Sequence, residues 1–263
     1  MQPPGFASEY AITREALLLP KPPGLSWEDA ASLILPTVTA YQCAKLAVAL
    51  SGGTGENLEG KTVFMQSGLG AFGSVGGQML KNVFGAERLI TTVSTRKMSL
   101  VEERLPGLFD QVVDYQTQDV AKEVGRGSVD LVFNTQWTVE STIQLLKPQT
   151  GVIVSIASLP APRTLRSLFG EAAPRWMLAL MWSAQWWYVF KLRGTNIKHE
   201  YVSPDPGRTA ELERAGELIA LGKVKAVTTV VDLEDIDEVR RVFAGVHSGK
   251  GGLGTFVIRV SQD

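Results

Sequence analysis

What is scarce in this chain excludes several classes of function at once. It has one cysteine, Cys43, and two histidines, His199 and His247. A lone cysteine excludes an internal disulfide framework and a thiolate zinc site, and two imidazoles exclude a histidine-rich metal cluster. Excess charge is missing too. The 26 Lys and Arg stand against 27 Asp and Glu, a net charge of −1, which speaks against a general nucleic-acid binder. The opening residues, Met1-Gln2-Pro3-Pro4-Gly5, carry neither a basic nor a long apolar stretch. No secretory signal is read there, and a reducing, cytoplasmic setting is the expectation. There is no internal repeat and no low-complexity tract. What remains is a chain of 263 residues, 44% of them hydrophobic, long enough for a sizeable core without staples.

The chain begins with two predicted extended pieces, Phe6–Ile12 and Glu15–Leu19, stopped by Pro20, Pro22 and Pro23. Ser26, with Asp29 three residues on, is a helix-start pattern that opens an apolar run reaching Leu50. Pro36 is expected to break or kink that run, because it removes a donor and clashes one turn back. From Gly60 short apolar runs alternate with helical segments. Strands are predicted at Thr62–Gln66, Leu89–Val93, Gln111–Tyr115, Leu131–Asn134, Val152–Ala157 and Asn196–Val202. Helices are predicted at Phe72–Phe84, Lys97–Leu105, Asp119–Val124, Val139–Leu146 and Arg208–Leu221. This alternation predicts an α/β fold with a doubly wound parallel sheet of Rossmann type. A strand at Thr228–Val231, a helix at Glu234–Val246 and a strand at Thr255–Val260 complete the pattern.

Trp176 to Phe190 holds four of the six tryptophans and is apolar on every side. Such a segment is buried, lies in an interface or touches lipid. It is too short to span a bilayer. A role in the core, as a lid or in a dimer contact is expected first, then an aromatic pocket wall; a membrane-surface helix is expected least.

The chemistry concentrates in one turn. The first strand runs into Ser67-Gly68-Leu69-Gly70-Ala71-Phe72-Gly73, and a helix follows directly. Glycines let the chain turn tightly, and backbone N–H groups at a helix start favour a phosphate. Gly68-x-Gly70-x-x-Gly73 alone is weak; between a strand and a helix it is much stronger. The alternative is a tight turn without a ligand. After the second strand come Ser94, Thr95, Arg96 and Lys97, where an NAD site usually places a carboxylate. Hydroxyls and two cations suit a 2′-phosphate, so NADP is favoured over NAD. A solvated helix start would read the same way.

Taken in order, Gly60-Lys61-Thr62-Val63-Phe64, the glycine turn, Thr92–Thr95, Val113-Asp114-Tyr115, Val129–Phe133, Lys147-Pro148 with Gly151–Ser155, and the ending at 249–258 form one pattern. It resembles the zinc-independent medium-chain dehydrogenase/reductases, in the quinone oxidoreductase and trans-enoyl reductase branch, with a flavour of fungal secondary metabolism. The resemblance implies NADP(H) and no metal. Its dinucleotide residues would be Ser67, Gly70, Ala71, Phe72 and Gly73 in the turn, then Ser94, Thr95, Lys97, Tyr115 and Asn134. Thr39, with Tyr41 and Gln42 beside it, matches the segment near the nicotinamide. Together with Trp137 and His199 these are the pocket candidates. The resemblance also implies a sheet-edge homodimer.

Departures from the pattern carry expectations of their own. Residues 1–50 would be the remnant of a barrel-like, GroES-like catalytic domain with its connecting helix. Residues 51–222 would be the nucleotide-binding domain with a Trp-rich insert at 160–194, and 223–263 the return to the remnant. Trp137 stands where backbone usually faces the cofactor, as a block or as a stacking platform. Phe72 would crowd a pyrophosphate. His199 is expected to be a half-buried structural histidine, and His247 a solvated one. Three functions fit. The first is NADPH-dependent reduction of a C=C or carbonyl on a hydrophobic, polyketide-type molecule. The second is a repurposed cyclase or isomerase with an aromatic pocket, and the third a catalytically silent member.

Overall fold

The structure, a computed structural model, describes residues 10–162, 164, 166, 174–247 and 252–260. Six strands form one sheet: β1 (Thr62–Met65), β2 (Arg88–Val93), β3 (Gln111–Asp114), β4 (Leu131–Asn134), β5 (Val152–Ser155) and β6 (Lys198–Tyr201). Their order is β3-β2-β1-β4-β5-β6 and every pairing is parallel, which is the doubly wound order with its reversal between β1 and β4. Central strands of such a sheet are covered on both faces, so they read as unbroken apolar runs. Val63, Met65, Leu131, Phe133, Val152 and Val154 enter one core. Their neighbours Phe64, Val132 and Ile153 enter the other.

The first core is closed by helices α1 (Trp27–Leu50) and α2 (Ala71–Asn82). The hydroxyl oxygen of Ser26 accepts from the Asp29 N–H at 3.0 Å and caps α1. Pro36 does not break this helix, which runs through it unbroken. The hydroxyls of Thr37 and Thr39 donate to the carbonyls of Leu33 and Leu35 one turn back, at 2.7 and 2.8 Å. By length and composition alone α1 could cross a bilayer; in this fold Leu33, Ala40, Ala44 and Ala47 bury it in the core.

Helices α3 (Met98–Arg104), α4 (Val120–Val124) and α5 (Val139–Ile143) follow β2, β3 and β4. Helix α6 (Arg175–Lys191) lies between β5 and β6, and α7 (Thr209–Ala220) follows β6. Strands β7 (Thr228–Asp232) and β8 (Thr255–Arg259), joined through α8 (Ile236–His247), form a separate parallel pair. The Gly254 N–H donates to the Leu69 carbonyl at 2.9 Å and ties this pair to the glycine turn.

Two expectations are corrected. Glu15–Leu17 is a single 3₁₀ turn rather than a strand, because the Leu17 and Leu18 N–H groups bond back to Arg14 and Glu15. Of the other extended piece, residues 6–9 lie outside the described residues, and Tyr10–Ile12 has no regular structure. The Trp-rich segment is helical but is not core: only Met181 of α6 is buried. The sheet face beneath it is already filled by Val124, Val139 and Ile197, and α6 adds only Tyr188, with Leu192 just beyond it, at the margin.

Gly73 is the tightest point of the turn. A methyl group there would stand 2.0 Å from the backbone oxygen of Ser67. Gly73→Ala is therefore expected to destabilise the fold by about 1–3 kcal/mol or more. Gly245 in α8 has open space around it, so Gly245→Ala is expected to be neutral or slightly stabilising. Urea unfolding followed by circular dichroism compares the two, and equal midpoints would contradict the packing described.

Candidate functional site

Where the strand order reverses, the loops after β1 and β4 part and leave a crevice at the carboxyl ends of the strands. A cleft of about 1260 Å³ opens there. On its floor, β1 delivers Gln66 and the glycine turn. Ser67 takes a left-handed conformation, φ 58°, and its carbonyl accepts from the Gly70 N–H at 2.8 Å. Gly70 begins α2 with no side-chain cap, and Gly70 and Ala71 both line the cleft. The first-turn N–H groups and the helix dipole thus face a space open to an anion.

Ser94, Thr95, Arg96 and Lys97 form the wall beyond β2, with Tyr115 and Gln116 after β3. Burial, and after it the neighbouring Arg96, holds the Lys97 ammonium below its usual range. Lys97 Nζ donates to the Gly252 carbonyl at 2.7 Å, which brings the chain ahead of β8 to the rim. Of the two carboxylates near this corner, Asp119 lines the cleft and caps α4, and Asp114 is engaged by the loops. It accepts from the Thr95 hydroxyl at 2.6 Å, the Gln116 N–H at 3.0 Å and the Thr117 hydroxyl at 2.8 Å. These bonds, that from Thr95 foremost, hold its carboxyl below the usual range.

Opposite stand Gln136 and Thr138, after β4. Gln136 Nε2 donates to the Ser67 hydroxyl at 2.8 Å, and Gln66 Nε2 donates to the Thr138 hydroxyl at 3.0 Å. Gly252, Gly254, Thr255 and Phe256 complete the rim. Sequence reading did not find Gln66, Gln136, Thr138 or this C-terminal stretch. The only local signal for the first three is that they directly follow the ends of β1 and β4.

Of the residues expected at the dinucleotide, Ser67, Gly70, Ala71, Ser94, Thr95, Lys97 and Tyr115 meet in this cleft. Phe72, Gly73 and Asn134 are not in its lining. Phe72 packs against the first core, and Gly73 lies against the Ser67 carbonyl. Asn134 is buried and donates to Gln136 O, the Ser155 hydroxyl and Ala157 O at 2.7, 2.8 and 3.2 Å.

The pocket candidates also fall elsewhere. Thr39 is buried on α1 and bonded to Leu35. Gln42 exchanges two hydrogen bonds with the Asp205 backbone at 2.8 and 2.9 Å. Tyr41 donates to Glu56 at 2.8 Å, and burial, with that carboxylate, pushes its phenol up to about 12. Arg214 donates to both oxygens of the same carboxylate, at 3.1 and 3.0 Å. Trp137 is 71% exposed and does not line the cleft, though its neighbours Gln136 and Thr138 do. His199 lines a separate cavity of about 230 Å³ with Leu159, Gln185 and Tyr201. The Tyr188 ring lies 4.6 Å from its imidazole, and the Ser158 hydroxyl 3.4 Å from Nε2. Burial lowers the His199 pKa to about 4, so at neutral pH it is an uncharged packing group.

The six-stranded parallel order, with a glycine turn opening a capless helix at the reversal, defines an α/β protein of Rossmann type. The sequence profile of the zinc-binding dehydrogenase family matches residues 109–250, and the chain belongs to that family, within the medium-chain dehydrogenase/reductase superfamily. It is 29% identical over 158 residues to the 2-methylene-furan-3-one reductase of Solanum lycopersicum, which covers 60% of this chain and 37% of the relative. It is 28% identical over 162 residues to the chloroplastic NADPH-dependent alkenal/one oxidoreductase of Arabidopsis thaliana, covering 62% of this chain and 38% of the relative. This chain therefore spans well under half the length of these two curated relatives. Among solved structures, an NAD-dependent alcohol dehydrogenase superposes with a TM-score of 0.69 at 23% identity, covering 98% of this chain and 66% of that one. The quinone oxidoreductase of Coxiella burnetii gives 0.64 at 21%, with 90% and 62% covered. These likenesses establish the fold.

Despite the family's name, the described residues do not fit a zinc ion. No three His, Cys, Asp or Glu side chains come together among them, and Cys43 is buried with its thiol pushed up by that burial.

His199 gives the fold a pH dependence of known sign. Its pKa is about 4 in the fold against 6.5 in the open chain. Between those values the unfolded chain binds the extra proton, so stability falls as pH drops from 6.5 towards 4, by up to ~3 kcal/mol. Replacing the imidazole in His199→Phe is expected to remove that part of the acid sensitivity. Unfolding free energies at pH 7 and 4.5 check it, and an unchanged difference between the two proteins would contradict it.

Proposed function

We propose that this protein is an NADPH-dependent oxidoreductase that reduces an activated C=C or carbonyl on a hydrophobic, polyketide-type molecule in secondary metabolism. The observation that carries the reading is the placement of Arg96 and Lys97 on the wall of the cleft, where a carboxylate would otherwise receive a ribose hydroxyl. Two of its relatives, by name, support a reductase, and one of those names includes NADPH.

The cofactor, when bound, supplies the hydride. The chain's own residues bind, orient and exclude water. The α2 N-terminus would hold the pyrophosphate, and Lys97, Arg96, Ser94 and Tyr115 the 2′-phosphate. Gln66, Gln136 and Thr138 offer donors and acceptors at the other end, to fix the orientation of the reacting face. Leu69, Val120, Leu145 and Phe256 supply apolar wall that keeps water from it. The cyclase or isomerase reading drew in part on a tryptophan facing the cofactor, and Trp137 lies outside the cleft lining. A homodimer through β6, the outermost strand at that end of the sheet, belongs to the same proposal.

Calorimetric titration with NADPH and NADH tests the reading. NADPH is expected to bind at least tenfold more tightly. Lys97→Ala is expected to weaken NADPH by about 10–100-fold, the range for a hydrogen bond to a charged group, and to leave NADH nearly unchanged. Equal affinity for the two nucleotides, or none for either, would overturn the proposal.

A further inference from the structure

Helix α6 has two faces of different character. Met177, Met181, Gln185 and Tyr188 turn inward. Met181 is buried against Leu159, and Gln185 donates to the Leu159 carbonyl at 3.2 Å. The outward face carries Trp176, Trp182, Trp186, Val189 and Phe190, each between 58 and 70% exposed. A helix docked by one face should present charge on the other; this one presents indole and phenyl rings.

The charges around this face have one sign. Arg175 begins the helix, Lys191 ends it and Arg193 follows, all three exposed. No Asp or Glu occurs anywhere from residue 174 to 198. Glu140 of α5 is bonded to Trp187 Nε1 at 3.0 Å, and Lys191 lies 4.5 Å over the same indole.

This arrangement selects among possible occupants. A second copy packing the same helix across a two-fold axis would set Arg175 of one chain beside Lys191 and Arg193 of the other, with no carboxylate on the helix to offset them. An anionic lipid surface meets the same features with complementary charge. Tryptophan settles at the headgroup level, and basic side chains at both ends reach phosphate while the helix lies flat. Its 17 residues make about 25 Å, lying along the bilayer surface rather than across it. We propose that α6 docks this protein in the plane of an anionic phospholipid surface, through its outward tryptophans and its basic ends. The sequence alone made this the least expected role of the segment; the outward direction of the rings reverses that order.

Co-sedimentation of the full chain with phosphatidylcholine vesicles, with and without a quarter of phosphatidylserine, is the test. Binding to the anionic vesicles is expected, with a blue shift of tryptophan emission and release by salt. Lys191→Gln and Arg193→Gln should each weaken binding about fivefold. The pair Trp182→Ser and Trp186→Ser should abolish it with the melting temperature unchanged. Should that pair melt early, the two charge variants decide instead. Absence from both pellets, equal binding to both vesicle types, or a lipid-free dimer that the tryptophan pair dissolves would each overturn the proposal. None of these readouts involves nucleotide, so the outcome is independent of the reductase reading.

Discussion

One close approach organises this molecule: the carbonyl of Ser67 lying against the α-carbon of Gly73. No side chain fits between them, since a methyl group on Gly73 would sit 2.0 Å from that oxygen. The contact forces the chain to leave β1 and enter α2 within a few residues, and it holds Ser67 at φ 58°. With the turn so tight, the uncapped start of α2 comes to the mouth of the crevice rather than over the sheet. The rest of the site hangs from the same turn. Gln136 reaches it from the β4 loop, and Gly254 bridges to it from the C-terminal pair.

The polar groups around the turn divide by task. Asp114 serves the loops, tying Thr95, Gln116 and Thr117 together at the end of β3. Tyr41, Glu56 and Arg214 fasten α1 to α7 by charge-assisted bonds, well away from the cleft. What is left facing the open space, the helix-capping Asp119 apart, is mainly backbone N–H, hydroxyl, amide and cation. That inventory recognises phosphates and orients a bound molecule, and it leaves the demanding chemistry to a cofactor.

The sheet was legible because a parallel strand buried on both faces must read as an apolar run, and β4 fell on Leu131–Asn134 as predicted. The glycine turn was legible because excluded volume writes itself as glycine. Much else depends on directions that composition does not encode. Thr39, Tyr41 and Gln42 follow one another on a helix whose neighbours turn them inward, so matching residue types did not place them at the cleft. Gln66 and Gln136 acquire meaning only when β1 and β4, distant in sequence, come side by side. Pro36 carried the expectation of a break or kink because it removes a donor, yet the helix continues through it from Trp27 to Leu50. For α6, apolarity on all sides left burial, an interface and lipid contact open, and which side the sheet would leave uncovered was decided by helices elsewhere.

The core of this protein is built without indole. Its largest fully buried side chains are phenylalanine, leucine, methionine and isoleucine, whereas Trp27, Trp137, Trp176, Trp182, Trp186 and Trp187 are all between 47 and 76% exposed. The native emission of the chain thus belongs to its skin. Unfolding the interior would leave that signal nearly still, and anything settling on the helix that carries most of the indoles would move it first.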